Sequence, residues 1–214
     1  MKIRYLIDNL ISSDILALPF VDKYAGIVRT VTLGVGDGVT STDKKFPIAC
    51  DVTPADCNNP AYFQDLVPDD SKKSVIYWEE LQPMQVVGYT PTKDYFNRKM
   101  QGTARLVVWL NLAKLGQTNC NTPIQILLEL ERVITKQLKI TGGEFDGNLT
   151  WIMPSKIVPS DINTIFGKYT YPTKKNYYLY PFDFFAIDVT FTIYQCLSKG
   201  ATVVINPSVD CFNA

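Results

Sequence analysis

The chain contains no histidine. Ser-His-Asp and Cys-His catalysis are therefore excluded, and so is every histidine-bearing zinc or haem site. Lysine, tyrosine, cysteine and carboxylates remain. The nearest charged cluster is Glu79 and Glu80 with Lys72 and Lys73. Neighbouring residues on a strand point to opposite faces, so Glu79 and Glu80 are badly placed as a paired acid and base, and a charged strand end is the plainer reading. Five cysteines, Cys50, Cys57, Cys120, Cys196 and Cys211, are odd in number, widely spaced and free of any CxxC pair. That pattern fits free thiols better than a disulfide framework or an all-cysteine zinc site. Gly34, Gly36 and Gly38 imitate a phosphate loop. Their spacing is GxGxG, however, no Lys-Ser/Thr follows and no helix pattern opens after them, so a turn is expected. Asp51, Asp56, Asp65, Asp69 and Asp70 lie in a stretch with no basic residue between Phe46 and Ser71. Their spacing is irregular and lacks the EF-hand order, which favours a solvated acidic face or one side of a charge-matched contact over a cation site. No catalytic residue, cofactor-binding residue or metal ligand is assigned, and a non-enzymatic protein is expected.

The elements that position these residues follow from periodicity. Ile3, Leu6, Ile7, Leu10 and Ile11 predict an amphipathic helix over 2–16, stopped near Pro19. Gly26–Leu33 alternates and is β-branched, and Lys45–Ala49 resumes an extended run, which together predict a hairpin. Residues 50–74 read as loop. Ser74–Trp78 and Met84–Tyr89 read as strands. From Thr103 to Ala113, Leu106, Val108, Leu110 and Leu112 point one way, with Arg105, Val107, Trp109 and Asn111 the other. Thr122-Pro123-Ile124-Gln125 has an N-cap, a proline at the first helical position and a capping-box glutamine. The helix it opens is expected to bury Ile124, Leu127, Leu128, Ile134 and Leu138 and to end at Gly142-Gly143. Phe185–Tyr194 is the strongest strand, with Phe185, Ile187, Val189, Phe191 and Ile193 on one face. Ala201–Ile205 can add an edge strand.

Residues 144–183 carry Trp151, Phe166, Tyr169, Tyr171, Tyr177, Tyr178, Tyr180 and Phe182 among Pro154, Pro159, Pro172 and Pro181. No period runs through most of this segment. Two readings stand: an aromatic arm that contacts a partner, or a cover over the chain's own sheet.

With 214 residues the chain is long enough to bury a core unaided, and it is expected to form one α+β domain over 1–214. The expected sheet is mixed or antiparallel, with two main helices on one face and long loop excursions. These are a hairpin and loop excursion over 36–100 and the aromatic-rich arm over 144–183. Twenty-one basic residues balance 21 acidic ones, which disfavours polyanion binding by net charge. No run approaches the roughly 18 uncharged apolar residues of a membrane helix. The charges within the apolar start of the chain are unlike those of a signal peptide.

The leading helix, the hairpin with an acidic tip, the strand Arg105–Leu112, the capped helix from Thr122 and the strand Phe185–Ile193 follow one another in an order that resembles the tail-terminator and head–tail neck ring proteins of tailed bacteriophages, including ring proteins of crAss-like phages. The resemblance implies a virion structural protein, assembled in the host cytoplasm. It implies a closed ring of itself, commonly six or twelve copies, stacked on portal, connector or tail proteins, with DNA passing through the channel without specific binding. It carries no catalytic residue. On this reading the contacts between copies are expected at Tyr169, Tyr171, Tyr177, Tyr178 and Tyr180, at the basic Lys93, Arg98, Lys99 and Arg105, and at the acidic Asp51, Asp56, Asp65, Asp69 and Asp70. A second reading, from a different class, is a small cytosolic enzyme or ligand-binding domain with 144–183 as a lid.

Overall fold

Ile3, Leu6 and Ile7 sit one helical turn apart, and this stripe forms α1 (Ile3–Leu10) with all three side chains buried. The computed structural model describes residues 3–36, 41–51, 59, 62, 64–91, 95–116, 122–140, 148–170 and 179–198. The single helix expected over 2–16 is broken: Ile11 leaves helical geometry at φ −125°, and α2 (Ser12–Leu16) restarts behind it. The Ser12 hydroxyl donates to the Ile7 carbonyl at 3.0 Å, a local bond that competes with the helical ladder. Ile11 and Ile15 remain buried, so the apolar stripe survives the break.

Seven strands form one mixed sheet: β1 (Lys23–Gly36), β2 (Ser41–Ala49), β3 (Ser74–Pro91), β4 (Tyr95–Asn111), β5 (Lys136–Lys139), β6 (Leu149–Val158) and β7 (Phe182–Ser198), in the order β2-β1-β3-β4-β7-β6-β5. Only β1 and β3 run parallel; the other neighbours are antiparallel. With four helices among the described residues, the fold is α+β. The two strands expected over 74–89 are one long β3, kept continuous past Pro83 by register shifts between Glu80 and Gln85 and again near Val87.

Period-two alternation in the central strands divides the core. Ile76, Trp78, Leu106, Val108, Leu110, Ile187, Val189, Phe191 and Ile193 pack with α1, α2 and α3 (Thr122–Ile134). Val75, Tyr77, Val107, Trp109, Phe184 and Ala186 pack with Leu66 and with Ile165, Phe166 and Tyr169 in and after α4 (Ile162–Phe166). Gly102 lies where α1 meets β3. A Cβ there would stand 2.8 Å from Ile3 Cδ1, 2.8 Å from Met84 Sδ and 3.0 Å from the Gln82 carbonyl, so a side chain would push Ile3 and Met84 aside and crowd that carbonyl.

Two expectations are corrected. The helix from Thr122 ends at Ile134, and Leu138 lies in the edge strand β5. Its buried side is Thr122, Ile126, Leu130 and Ile134, whereas Ile124 and Leu128 are 56% and 57% exposed. The helix carries two apolar stripes about 200° apart, two residues out of phase, and periodicity alone does not choose between them. The second correction concerns 144–183. Its part from Leu149 to Val158 is β6, which pairs with β7 and, at Leu149–Ile152, with β5. Pro154 is accommodated at a register shift. Asp161 then caps α4 by accepting from the Asn163 amide at 3.0 Å. Regular structure therefore occupies much of the segment expected to be an irregular arm.

Candidate assembly surface

The polar side of the central sheet brings charge together in register. Glu79 of β3 pairs with Arg105 of β4, Arg105 with Asp188 of β7, and Asp188 with Lys156 of β6, so signs alternate across four strands. Arg105 grips Asp188 with both ends of its fork: Nε to Oδ1 at 2.6 Å and Nη2 to Oδ2 at 3.0 Å. Its Nη1 donates to the Thr164 carbonyl at 3.2 Å and so ties α4 to the sheet. Hydrogen bonding to Asp188 raises the Arg105 pKa above its ordinary value; burial opposes this, while the charges of Asp188 and Glu79 add to it. Glu79 is buried, accepts from the Tyr169 hydroxyl at 2.6 Å, and pairs with Lys168 at 2.8 Å. Sequence reasoning gave Asp188 no partner, left Lys168 unremarked and took Glu79 for a strand end.

These contacts correct several expected interface residues. Arg105 is committed to Asp188, with side chains only 13% and 14% exposed. Tyr169 is 1% exposed, packed edge-on against Tyr77 at 6.3 Å. Arg98 hydrogen-bonds Gln195, and Lys99 lies 5.9 Å from the centre of the Tyr194 ring. On the acidic stretch, Asp65 pairs with Lys23 at 2.9 Å and Asp69 with Lys72 at 2.6 Å. The Lys72 ammonium also donates to the Gln64 and Val67 carbonyls at 3.0 and 2.6 Å, which closes the loop on itself. Burial alone would raise the Asp69 carboxyl, but hydrogen bonds from Lys72 and Ser71 outweigh it and hold the pKa below the ordinary value. Asp51 and Asp70 are exposed, and Tyr180 is 74% exposed beside Leu179 at 69%. Tyr171, Tyr177, Tyr178, Lys93 and Asp56 lie outside the described residues.

A cleft of about 400 Å³ between α1, β1 and the acidic stretch is lined by Arg4, Asp8, Tyr24, Cys50, Tyr62 and Asp65 among others. Arg4 is spent on Asp8 at 3.1 Å. Burial pushes the Cys50 thiol up, against the pull of Arg4 and Arg29, so this thiol is not activated as a nucleophile. Among the described residues no three histidine, cysteine or acidic side chains converge.

What the sheet leaves open is a surface. Beyond the last pairing of β6 with β7, at Leu149↔Tyr194, strands β3, β4 and β7 continue as a three-stranded extension, through Tyr89↔Arg98↔Gln195 to Pro91↔Phe96↔Leu197. Leu81, Val86 and Val87, 46%, 43% and 46% exposed, lead along β3 towards it, and Tyr89 on it is 60% exposed. Beside it, Trp151 stands edge-on to Tyr194 at 5.6 Å and is 37% exposed, with Met153 at 52%. The chain matches no protein-family model and no curated protein.

Proposed function

We propose that this chain is a non-catalytic structural subunit that assembles with copies of itself into a ring, at the head–tail neck or tail end of a tailed bacteriophage virion. The observation that carries the reading is the extension. Three strands run past the helix-covered part of the sheet with exposed apolar side chains, while the ionisable groups of the interior bind one another. Exposed apolar residues grouped in this way favour association over catalysis. The phage placement rests on the order of elements in the sequence, and the ring would meet portal, connector or tail proteins above and below and leave the DNA channel free.

The test is mass in solution and electron microscopy of the purified chain over a concentration series, alone and with the portal and tail proteins encoded beside it. Closed rings of uniform copy number are expected. A chain that stays monomeric under every condition, or one encoded away from any portal or tail protein, overturns the proposal.

A further inference from the structure

On the polar side of the sheet the row of paired charges ends at Glu79, Arg105, Asp188 and Lys156. The row beyond it holds Thr103, Thr190 and Met153 in register. The next holds Gln85, Gln101, Thr192, Trp151 and Gln137, one residue from each of the strands β3, β4, β7, β6 and β5. A third holds Lys99, Tyr194, Leu149 and Lys139. Paired residues share a face and alternate residues along a strand return to it, so these rows continue the side on which Arg105 and Asp188 lie. Helices α1–α3 pack on the other side. Among the described residues the cover on this side, Leu66, Tyr169 and α4, reaches the Glu79–Arg105–Asp188 row. The three rows beyond it contain no carboxylate. Their two cations stand three strand spacings apart, about 14 Å, and Lys99 lies over the Tyr194 ring.

The face divides along its strands. β6 presents Leu149, Trp151 and Met153, the last two exposed, whereas β7 and β4 present threonine hydroxyls and the Gln101 amide. Thr192 is the floor between them: it is buried and accepts from Gln101 Nε2 at 3.4 Å. A ligand lying along the strands must therefore be apolar on one side, rich in uncharged donors and acceptors on the other, and free of net charge. A sugar ring has that form. Its C–H groups suit the electron-rich face of an indole, and its hydroxyls donate to and accept from amides and threonines. We propose that this face binds a neutral oligosaccharide, laid along β6 and β7 with its C–H faces on Trp151 and Met153 and its hydroxyls on Gln101, Thr103 and Thr190. A nucleic-acid strand would find aromatic rings to stack on but only two lysines for its phosphates. A second copy would find too little area. Three rows by five strands is roughly 14 by 19 Å, on the order of 300 Å², against about 800 Å² on each side of a stable protein contact. The inference goes beyond the assembly reading and does not rest on it.

Trp78 and Trp109 are fully buried, so tryptophan emission that acrylamide can quench comes from Trp151. With the full chain, maltohexaose, cellohexaose or chitohexaose should protect that emission saturably, and a thymidine hexanucleotide should not. By calorimetry, Trp151→Ala should weaken the same sugar at least about tenfold and Gln101→Ala about fivefold, both variants remaining folded by circular dichroism. Gln101→Ala keeps the Trp151 emission as a second readout. If no hexasaccharide protects Trp151, if binding survives Trp151→Ala, or if the hexanucleotide protects in place of the sugars, the proposal is overturned. Protection that appears on raising the protein concentration without sugar overturns it too, and makes the face a contact between copies. Sugar binding by a chain that stays monomeric leaves this inference standing while the ring reading falls.

Discussion

Replacing Arg105 by leucine should unfold this protein more easily by about 3 kcal/mol, at the lower end of the 3–5 kcal/mol typical of breaking a buried pair. Three observations set that size. The Arg105 and Asp188 side chains are 13% and 14% exposed, which leaves slight access for water and argues against the upper end. The change strands Asp188 beside Glu79, whose carboxylate is buried two strands away, so two like charges then face one another across β4 without the intervening cation. It also removes the 3.2 Å tether to the Thr164 carbonyl, loosening α4. For a domain of this size the loss corresponds to a melting-point drop of about 6–12 °C.

Urea unfolding of the single variants and of Arg105→Leu/Asp188→Leu measures it. The double variant exchanges a buried ion pair for apolar packing and should recover most of the loss, giving a coupling energy on the order of 2 kcal/mol. A single-variant cost below about 1 kcal/mol, or a coupling near zero, refutes the reasoning. It would return Arg105 to the role the sequence suggested, a surface cation whose removal disturbs assembly and not the monomer.

Tyr169→Phe should cost about 1.5–3 kcal/mol, because it takes a hydrogen bond from the buried Glu79 carboxylate, and should leave assembly unchanged; the opposite result in unfolding and mass measurements restores Tyr169 as a contact residue. Gly102→Ala should destabilise by about 1–3 kcal/mol, since its methyl must displace Ile3, Met84 or the Gln82 carbonyl, and thermal unfolding reads this directly. The Asp69 carboxyl is held below its ordinary value of 3.8, so its contribution is fully present above that pH and is lost as pH falls through the folded value; acid unfolding of Asp69→Asn should show less dependence on pH in that window.

The central strands were legible because alternation is a property of the chain alone: Leu106, Val108 and Leu110 face one core and Val107 and Trp109 the other, as their spacing requires. Register is not such a property. Arg105 and Asp188 each sit on the polar side of a readable strand, yet 83 residues separate them, and only the pairing of β4 with β7 makes them partners. The capped helix shows the same limit. Thr122 and Pro123 fixed its start, but Ile126 and Ile124 are equally apolar, and only the sheet decides which is buried. The 144–183 segment misled because its prolines break the period of β6, which the sheet tolerates through a shift at Pro154. Of the charged candidate contact residues, Arg105, Asp65 and Asp69 form ion pairs within the chain.

That outcome bears on how copies would hold one another. A contact between the acidic 51–70 stretch and the basic 93–105 segment would be built from opposite charges at the surface, and would weaken as salt screens them. Asp65, Asp69, Arg98, Lys99 and Arg105 are engaged within the chain, and β3 from Leu81 to Tyr89, largely exposed, has no charge to screen. An interface made there draws on burial of Val86, Val87 and Tyr89, which does not depend on ionic strength in that way. Assembly, followed by sedimentation, should therefore hold its midpoint concentration within about twofold from roughly 50 to 500 mM sodium chloride, a range over which the screening length shortens from about 14 to 4 Å. A chloride-independent response to sodium sulfate should instead strengthen it, since sulfate favours apolar burial. If the midpoint rises tenfold or more with sodium chloride, the contact is electrostatic after all, and Asp51 and Asp70, exposed on the acidic stretch, become the residues to substitute first.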